Sequence, residues 1–146
     1  MSGRKKSKVL IVKTEDRSRG IQTLLDHFGM KGFKGKTVAL KANFNSADRF
    51  PASTHPDTVA ILVRSLKNAG AKKITLAERS GMGVTEEVVR DLGIMDLSSS
   101  LGFDVNILDR VPERGWILVK KPGNHWKRGF LFAKVFRDAD TIVQTC

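Results

Sequence analysis

Cysteine is almost absent from this sequence. Its single copy, Cys146, is the last of 146 residues, so the chain cannot form an internal disulfide or build a thiolate cluster for zinc or an iron–sulfur centre. The three histidines, His27, His55 and His125, stand far apart and give no ligand spacing for a metal. The sequence therefore predicts no metal site and no bound cofactor, and a reducing cytoplasm is the expected compartment.

Long hydrophobic runs are also missing. Apolar residues make up 40% of the chain, yet no run approaches the roughly 20 residues needed to cross a bilayer. The first eight residues carry the positive charge of a signal peptide, but only the short apolar run 9–12 follows them, where a longer one is required. The sequence thus predicts neither a membrane span nor a cleaved secretion signal.

Acidic residues are scarce relative to basic ones. The chain has 26 Lys and Arg against 15 Asp and Glu, a formal net charge of +11, which attracts polyanions over a Debye length. One segment interleaves cations with an aromatic ring, a composition that suits phosphate contact and base stacking: Lys120, Lys121, Trp126, Lys127 and Arg128. Because no recognised reading helix or aromatic platform accompanies this charge, a nucleic-acid-binding module is the alternative function and not the leading one.

The alternation of short apolar runs with amphipathic helices indicates one α/β domain. Residues 1–7 are predicted to be a basic, disordered N-terminus, and residues 8–146 to be a single domain. Strands that alternate with helices form βαβ units, whose crossovers are nearly always right-handed and require parallel strands. The predicted fold class is α/β, with a mixed, partly parallel sheet and helices packed on its faces.

The apolar patterns place the individual elements. Strands are predicted over residues 8–13, 37–43, 73–77, 103–108, 116–120, 129–133 and 141–144. Helices are predicted over residues 17–29, 56–70 and 84–92, with shorter turns over 95–101 and 135–139. Strands that follow one another in the second half are expected to include antiparallel pairing. The chain stops where a strand normally leads into a loop, which raises the expectation that the domain is truncated at its C-terminal end.

Polar residues follow two of the predicted strands and begin one helix. In open parallel sheets the ligand site lies beyond the carboxyl ends of the strands, where helix N-termini expose unpaired N–H groups. If successive βα units pack as neighbours, the loops after strands 37–43 and 73–77 share one rim. The candidate ligand-binding residues at this rim are Lys41, Asn43, Thr54, His55, Ser80 and Gly81.

Each candidate also has a purely structural interpretation. Lys41 suits a phosphate or carboxylate but could equally be a solvated strand end, and His55 could be an acid–base group or a helix cap. The segment 80–83 could cradle a phosphate because glycine permits positive φ, although an ordinary strand-to-helix turn has the same composition. The sequence contains no nucleophile elbow and no nucleophile–base pair, so it identifies no catalytic residue and leaves open whether the protein is an enzyme.

Several short motifs occur in a family-like order. They are Lys41-Ala42-Asn43, Thr54-His55-Pro56, Val63 and Leu66 followed by Ala69-Gly70-Ala71 and Ile74, then Ser80-Gly81, and Ala139-Asp140-Thr141-Ile142-Val143. Together they resemble the landmarks of the domain of unknown function 362 family, from Val9 to Cys146. The resemblance implies an α/β domain in a family whose members often carry four-iron (4Fe-4S) clusters. Those clusters occupy added cysteine-rich segments that this chain lacks, so no cluster is assigned to it.

Two departures from the family pattern concern the predicted site. The family usually reads Lys-Pro-Asn where this chain has Lys41-Ala42-Asn43, and it commonly has an acidic residue and a serine where this chain has Glu78-Arg79-Ser80. Members also normally continue past the segment 139–143 into a Lys-x-Thr-His-like stretch, whereas this sequence ends at Cys146. The leading hypothesis is a domain that binds or acts on a small anionic ligand. The alternatives are the nucleic-acid-binding module and an inert partial domain, and the residues indicate no membrane partner and no oligomeric state.

Overall fold

A four-stranded sheet lies at the centre of the computed structural model, which describes residues 7–123 and 125–146. The strands are β1 (Thr37–Lys41), β2 (Lys73–Glu78), β3 (Asp104–Ile107), β4 (Trp116–Val119), β5 (Phe130–Ala133) and β6 (Thr141–Gln144). The helices are α1 (Arg17–Phe28), α2 (Pro56–Asn68), α3 (Thr85–Asp91), α4 (Ile94–Leu101) and α5 (Lys134–Arg137). Residues 1–6 of the predicted basic N-terminus lie outside the described residues.

The central sheet is entirely parallel, in the order β3-β2-β1-β6. Val38 of β1 stands in register with Ile74 of β2 on one side and Thr141 of β6 on the other. β4 and β5 form a separate antiparallel hairpin. The predicted α/β class with a partly parallel sheet is therefore confirmed, as is antiparallel pairing in the second half.

The main core lies between one face of this sheet and the helices. Leu40 and Leu76 point from β1 and β2 into a cluster with α2, α3 and α4, and both are fully buried. The predicted apolar stripe of α2 is confirmed, since each of its members is buried: Val59, Leu62, Val63 and Leu66. Burial of a side chain of this size contributes roughly 1.5–3 kcal/mol.

Among the described residues, no helix has both the length and the apolar character that a bilayer crossing demands.

The hairpin and α5 build a second, smaller cluster. Ala77 of β2 packs there with Leu108 and Ala133, and the half-buried Trp116 and Phe136 surround them. Alanine suits β2 at this position because a small side chain lets the neighbouring elements approach closely. The hairpin and α5 thus cover the second face of the sheet at Ala77, and the carboxyl edge is where the loops after β1 and β2 meet.

One sequence prediction about an element was wrong, and another fell short of the full helix. Residues 8–13, predicted to be the first strand, form no strand, and Val9 and Ile11 are 80% and 88% exposed. A β-branched run favours extended backbone, but it becomes a strand only where a neighbour supplies the ladder hydrogen bonds. Residues 95–101, predicted to be a turn, belong to the full helix α4. A glycine with positive φ stands at each end of this helix, Gly93 at 74° and Gly102 at 65°.

Candidate functional site

The loop after β1 is closed onto the start of α2 by three hydrogen bonds. The backbone N–H of Asn43 donates to Thr54 Oγ1 at 2.9 Å, and the N–H of Thr54 returns a bond to the Asn43 carbonyl at 2.9 Å. The Asn43 side-chain amide donates to the Ala52 carbonyl at 3.0 Å. Asn43 and Thr54 therefore hold the segment between them as one closed loop beside the carboxyl edge of the sheet.

The loop after β2 is bonded to the loop after β1. Ser80 Oγ donates to the Phe44 carbonyl at 2.6 Å, and the Gly81 N–H donates to Asn45 Oδ1 at 2.9 Å. A Cβ at position 81 would lie 2.4 Å from that same Oδ1, so a larger residue would displace the Asn45 side chain and its hydrogen bond. The structure thus brings Asn43, Thr54, Ser80 and Gly81 along one rim, as the βαβ arrangement predicts.

The turn that follows Ser80 uses its N–H groups internally. The Ser80 N–H donates to Thr85 Oγ1 at 2.8 Å, and Thr85 donates in turn to the Asp109 carboxylate, which Arg79 Nε also contacts at 3.1 Å. With the Gly81 N–H directed at Asn45, this segment has the geometry of an ordinary strand-to-helix turn. Sequence reasoning missed Thr85 and Asp109, because they meet only when the loop after β3 folds over the turn.

Lys41 is held by a carboxylate at the end of the neighbouring strand. Its ammonium nitrogen lies 2.8 and 2.9 Å from the two carboxylate oxygens of Glu78, and it also donates to the Ala42 carbonyl. The Lys41 side chain is 34% exposed, whereas that of Glu78 is only 1% exposed. The cation is therefore neutralised within the sheet edge.

Burial governs the titration of Glu78. Desolvation raises the pKa of its carboxyl above the ordinary value of 4.5, against the opposing effect of the Lys41 ammonium and of the Arg79 and Ala42 backbone. The side chain accepts from both Lys41 and the Arg79 N–H, so its oxygens are not left unpaired. Lys41 and Glu78 form a satisfied buried pair that joins the ends of β1 and β2.

A cavity of about 610 Å³ opens at the start of α2, next to this rim. It lies between the first turn of α1, the loop 49–57 and the junction of α3 with α4. Of the predicted ligand-binding residues, Thr54 and His55 line it. The side chains that give it chemical character are Arg17, Arg49, Phe50, His55, Asp57 and Asp91.

His55 caps α2 with one ring nitrogen and faces the cavity. Its Nδ1 accepts from the Asp57 N–H at 3.1 Å, so in the neutral ring the proton resides on Nε2, which can then donate to a ligand. The imidazole is one third exposed and stands edge-on to the Phe50 ring, with centroids 5.8 Å apart. A cap and a ligand donor are thus compatible roles for this one side chain.

Two guanidinium groups line the same cavity. Arg17 lies over the Phe50 ring at 4.8 Å from its centroid, and neither it nor Arg49 forms an ion pair within residues 7–123 and 125–146. Asp57 and Asp91 also line the cavity and carry negative charge, so the charge on its surface is mixed and not uniformly positive. Sequence reasoning missed Arg17, Arg49 and Phe50, since the cavity exists only after α1 packs on α2.

The part of the chain that the structure describes contains no group of three or more His, Cys, Asp or Glu side chains placed to hold a metal ion. Cys146 is exposed and unpaired with any other cysteine. The chemistry that these residues can supply at the cavity is hydrogen bonding and charge.

Comparison with known families identifies one relationship. The family model described as "Domain of unknown function (DUF362)" matches residues 38–146, from within β1 to the last residue. No curated protein and no solved structure matches the chain. The match includes Arg49, Phe50 and His55, whereas Arg17 on α1 lies before it.

Proposed function

The chain belongs to the family described as Domain of unknown function (DUF362), and from this premise we propose that it binds a small anionic ligand in the cavity at the start of α2. The single observation that carries the proposal is the convergence of Arg17 and Arg49, two guanidinium groups with no carboxylate partner among the described residues, with the His55 imidazole. Guanidinium forks and ring N–H groups are well suited to phosphate and carboxylate oxygens.

The position of the cavity adds to this preference for an anion. It lies at the N-terminus of α2, where aligned peptide dipoles place about half a positive elementary charge. His55 already accepts the Asp57 N–H, so the helix acts on a ligand mainly through its dipole and not through free N–H groups. The direct donors are therefore the two arginines and the Nε2 of His55.

The apolar and acidic parts of the cavity narrow the ligand class. The Phe50 ring, already stacked with Arg17, offers a flat surface to an aromatic group. Asp57 and Asp91 oppose a bare polyanion but accept hydrogen bonds from hydroxyl or amino groups. These side chains together favour a small molecule with one anionic group and a ring, such as a nucleoside monophosphate or an aromatic carboxylate.

In this proposal the other predicted residues have a supporting role. Lys41 forms an ion pair with Glu78. The hydrogen bonds of Asn43, Ser80 and Gly81 stabilise the loop after β1 and join it to the loop after β2. They keep the segment that carries Arg49, Phe50 and His55 in place, so that the ligand meets a preorganised wall.

Calorimetric titration tests the proposal. Purified protein is titrated with inorganic phosphate, adenosine monophosphate and benzoate, and saturable heat is expected with at least one of them. Arg49→Gln should weaken that binding about tenfold or more, because a hydrogen bond to a charged group contributes roughly 1.5–3 kcal/mol. Arg64→Gln is the matched control, because Arg64 is exposed on α2 and does not line the cavity. This substitution removes the same charge from a different part of the surface.

Two results would contradict the proposal. One is the absence of heat across the panel in protein whose circular dichroism confirms that it is folded. The other is equal weakening by Arg49→Gln and Arg64→Gln, which would mean that overall charge and not the cavity attracts the ligand.

A basic loop supports a second candidate, nucleic-acid binding. Trp126 is 60% exposed and lines a depression of about 360 Å³ together with Lys120, Lys121 and Lys127. An exposed indole among ammonium groups suits base stacking with phosphate contact. This loop lies outside the cavity at the start of α2, so the two candidates can be separated by mutation.

A further inference from the structure

The segment 8–13 is an apolar stretch without a partner strand in the described structure. It reads Lys-Val-Leu-Ile-Val-Lys, and its outward side chains, Val9 and Ile11, are 80% and 88% exposed. β-Branched residues in such a run favour extended backbone, whose N–H and C=O groups are free to pair with an adjacent strand. The segment therefore has the composition of a sheet strand but not its surroundings.

The sheet offers a matching edge at β6. Among the described residues β6 pairs only with β1, so its outer backbone groups face away from any strand. Ile142, in the middle of β6, is 48% exposed. An open edge with an exposed apolar side chain is a template for another strand.

The handedness of the fold assigns this edge to a strand that precedes α1. The helices between β1 and β2, and between β2 and β3, pack on the same face of the sheet, and each crossover moves one strand in the same direction. α1 packs on that face too, against α2. A strand joined to β1 through α1 with the same hand lies on the side of β1 away from β2. Because β6 occupies the place next to β1, the remaining position is the outer edge of β6.

A short turn sets the direction of the segment relative to α1. Thr14 Oγ1 accepts the Asp16 N–H at 3.0 Å and donates to the Asp16 carbonyl at 2.9 Å, while Asp16 caps α1 through the Arg19 N–H. In this conformation the segment leaves α1 without reaching its own sheet edge. Residues 14–16 therefore form the connection between this segment and α1.

We propose that residues 8–13 of a second copy of this chain add to β6 as a fifth parallel strand, in a reciprocal exchange of N-terminal segments. The handedness of the fold assigns the outer edge of β6 to residues 8–13. Within one chain these residues do not pair with β6, so we take the same segment of a second copy as the occupant. Exchange of an identical element between protomers is a low-cost route to a dimer. It buries Val9, Ile11 and Ile142 together and pairs the free backbone groups of β6.

Sedimentation under reducing conditions tests the assembly. The wild-type chain is expected to form dimers whose fraction rises with concentration, and Val9→Lys combined with Ile11→Lys should give monomers throughout. Met82→Lys is the control, because Met82 is an exposed apolar residue outside the segment and should leave the dimer intact. A wild-type chain that stays monomeric up to hundreds of micromolar would overturn the proposal.

Disulfide trapping distinguishes exchange between copies from docking within one chain. Arg17 at the start of α1 lies by the carboxyl edge, so a parallel segment brings residue 13 near Cys146, the only cysteine of the sequence. Chains carrying Lys13→Cys and Cys146→Ser are mixed with a longer, tagged chain that keeps Cys146, and then oxidised. The expected product is a mixed disulfide between residues 13 and 146 of different chains, identified by peptide mapping. In a Lys13→Cys chain that retains Cys146, a disulfide formed only within single chains would overturn the exchange.

Discussion

At the scale of single residues, the ion pair of Lys41 and Glu78 joins the carboxyl ends of β1 and β2. Glu78 is fully buried, and a carboxylate in that position keeps its charge only while a cation stays close. Its two oxygens lie 2.8 and 2.9 Å from the Lys41 nitrogen, which itself remains partly in contact with water. Loss of the lysine would leave an uncompensated charge between the ends of β1 and β2.

We expect Lys41→Met to lower the free energy of unfolding by about 3 kcal/mol, the lower end of what removal of one partner from a buried pair produces. Lys73→Met is the matched control, because its pair with Asp104 is exposed on both sides and should contribute less than about 1 kcal/mol. Urea unfolding at pH 7 measures both. Equal small losses would mean that the buried pair does not stabilise the sheet edge.

The raised pKa of Glu78 predicts a particular dependence of stability on pH. A carboxyl with a folded-state pKa above its ordinary 4.5 binds protons more tightly in the folded protein, so its contribution is fully present below that value. The contribution is lost as pH rises through the folded pKa. Relative to Glu78→Gln, the wild-type free energy of unfolding should therefore fall as pH rises above about 4.5 in urea titrations. A wild-type advantage that grows with pH would contradict the raised pKa.

The residues at the rim were predictable in position but not in role. Lys41 and Ser80 stand at strand ends that local patterns reveal, and the structure places both at the carboxyl edge. Their partners are not local: Glu78 meets Lys41 only through the register of β1 with β2, and Arg17 reaches the cavity only through packing of α1. A sequence pattern carries no information about such pairings until the topology is known.

At the scale of elements, α2 is the helix on which the cavity depends. Its start was predictable because capping is local: His55 is the N-cap and Pro56 follows in the first turn. Gly70, with a φ of 82°, follows the C-cap and ends the helix. Residues 8–13 show the opposite case, where an apolar run alone predicted a strand that lacks a neighbour. The other six predicted strands are all present, so an apolar run misled only where no neighbouring strand pairs with it.

Substitutions of His55 should separate its capping role from its proposed ligand role. His55→Ala removes the acceptor of the Asp57 N–H and should lower the free energy of unfolding by about 1 kcal/mol. His55→Asn restores a capping oxygen and should keep wild-type stability while it still weakens ligand binding. Thermal unfolding and calorimetry on the two variants measure both effects. Wild-type ligand affinity in His55→Asn would show that the imidazole does not contact the ligand.

At the scale of the whole molecule, the net charge of +11 has to be distinguished from the cavity. Charge spread over a surface attracts any polyanion, whereas we propose that the cavity lined by Arg17, Arg49 and Asp91 binds a small ligand. These two modes of binding respond differently to salt, because only the first releases many counterions.

Binding of a short single-stranded RNA should fall more than tenfold between about 50 and 200 mM salt, as expected for several phosphate contacts. The small ligand should lose only a few-fold over the same range. Combined substitution of Lys120, Lys121 and Lys127 by Gln should weaken RNA binding and leave the small ligand unaffected, since those residues line the depression beside Trp126. Fluorescence anisotropy and calorimetry measure the two. A small ligand that loses affinity as steeply as RNA would place it on the basic surface.

Mapping the bound ligand by nuclear magnetic resonance tests the central claim most directly. Isotope-labelled protein is titrated with adenosine monophosphate while the backbone amide signals are followed. The account predicts saturable shifts confined to the cavity, at Arg17, Arg49, Phe50, His55 and Gly93, with the loop 120–128 unchanged. Shifts centred on that basic loop, or no saturable shift at His55 and Arg49, would contradict it.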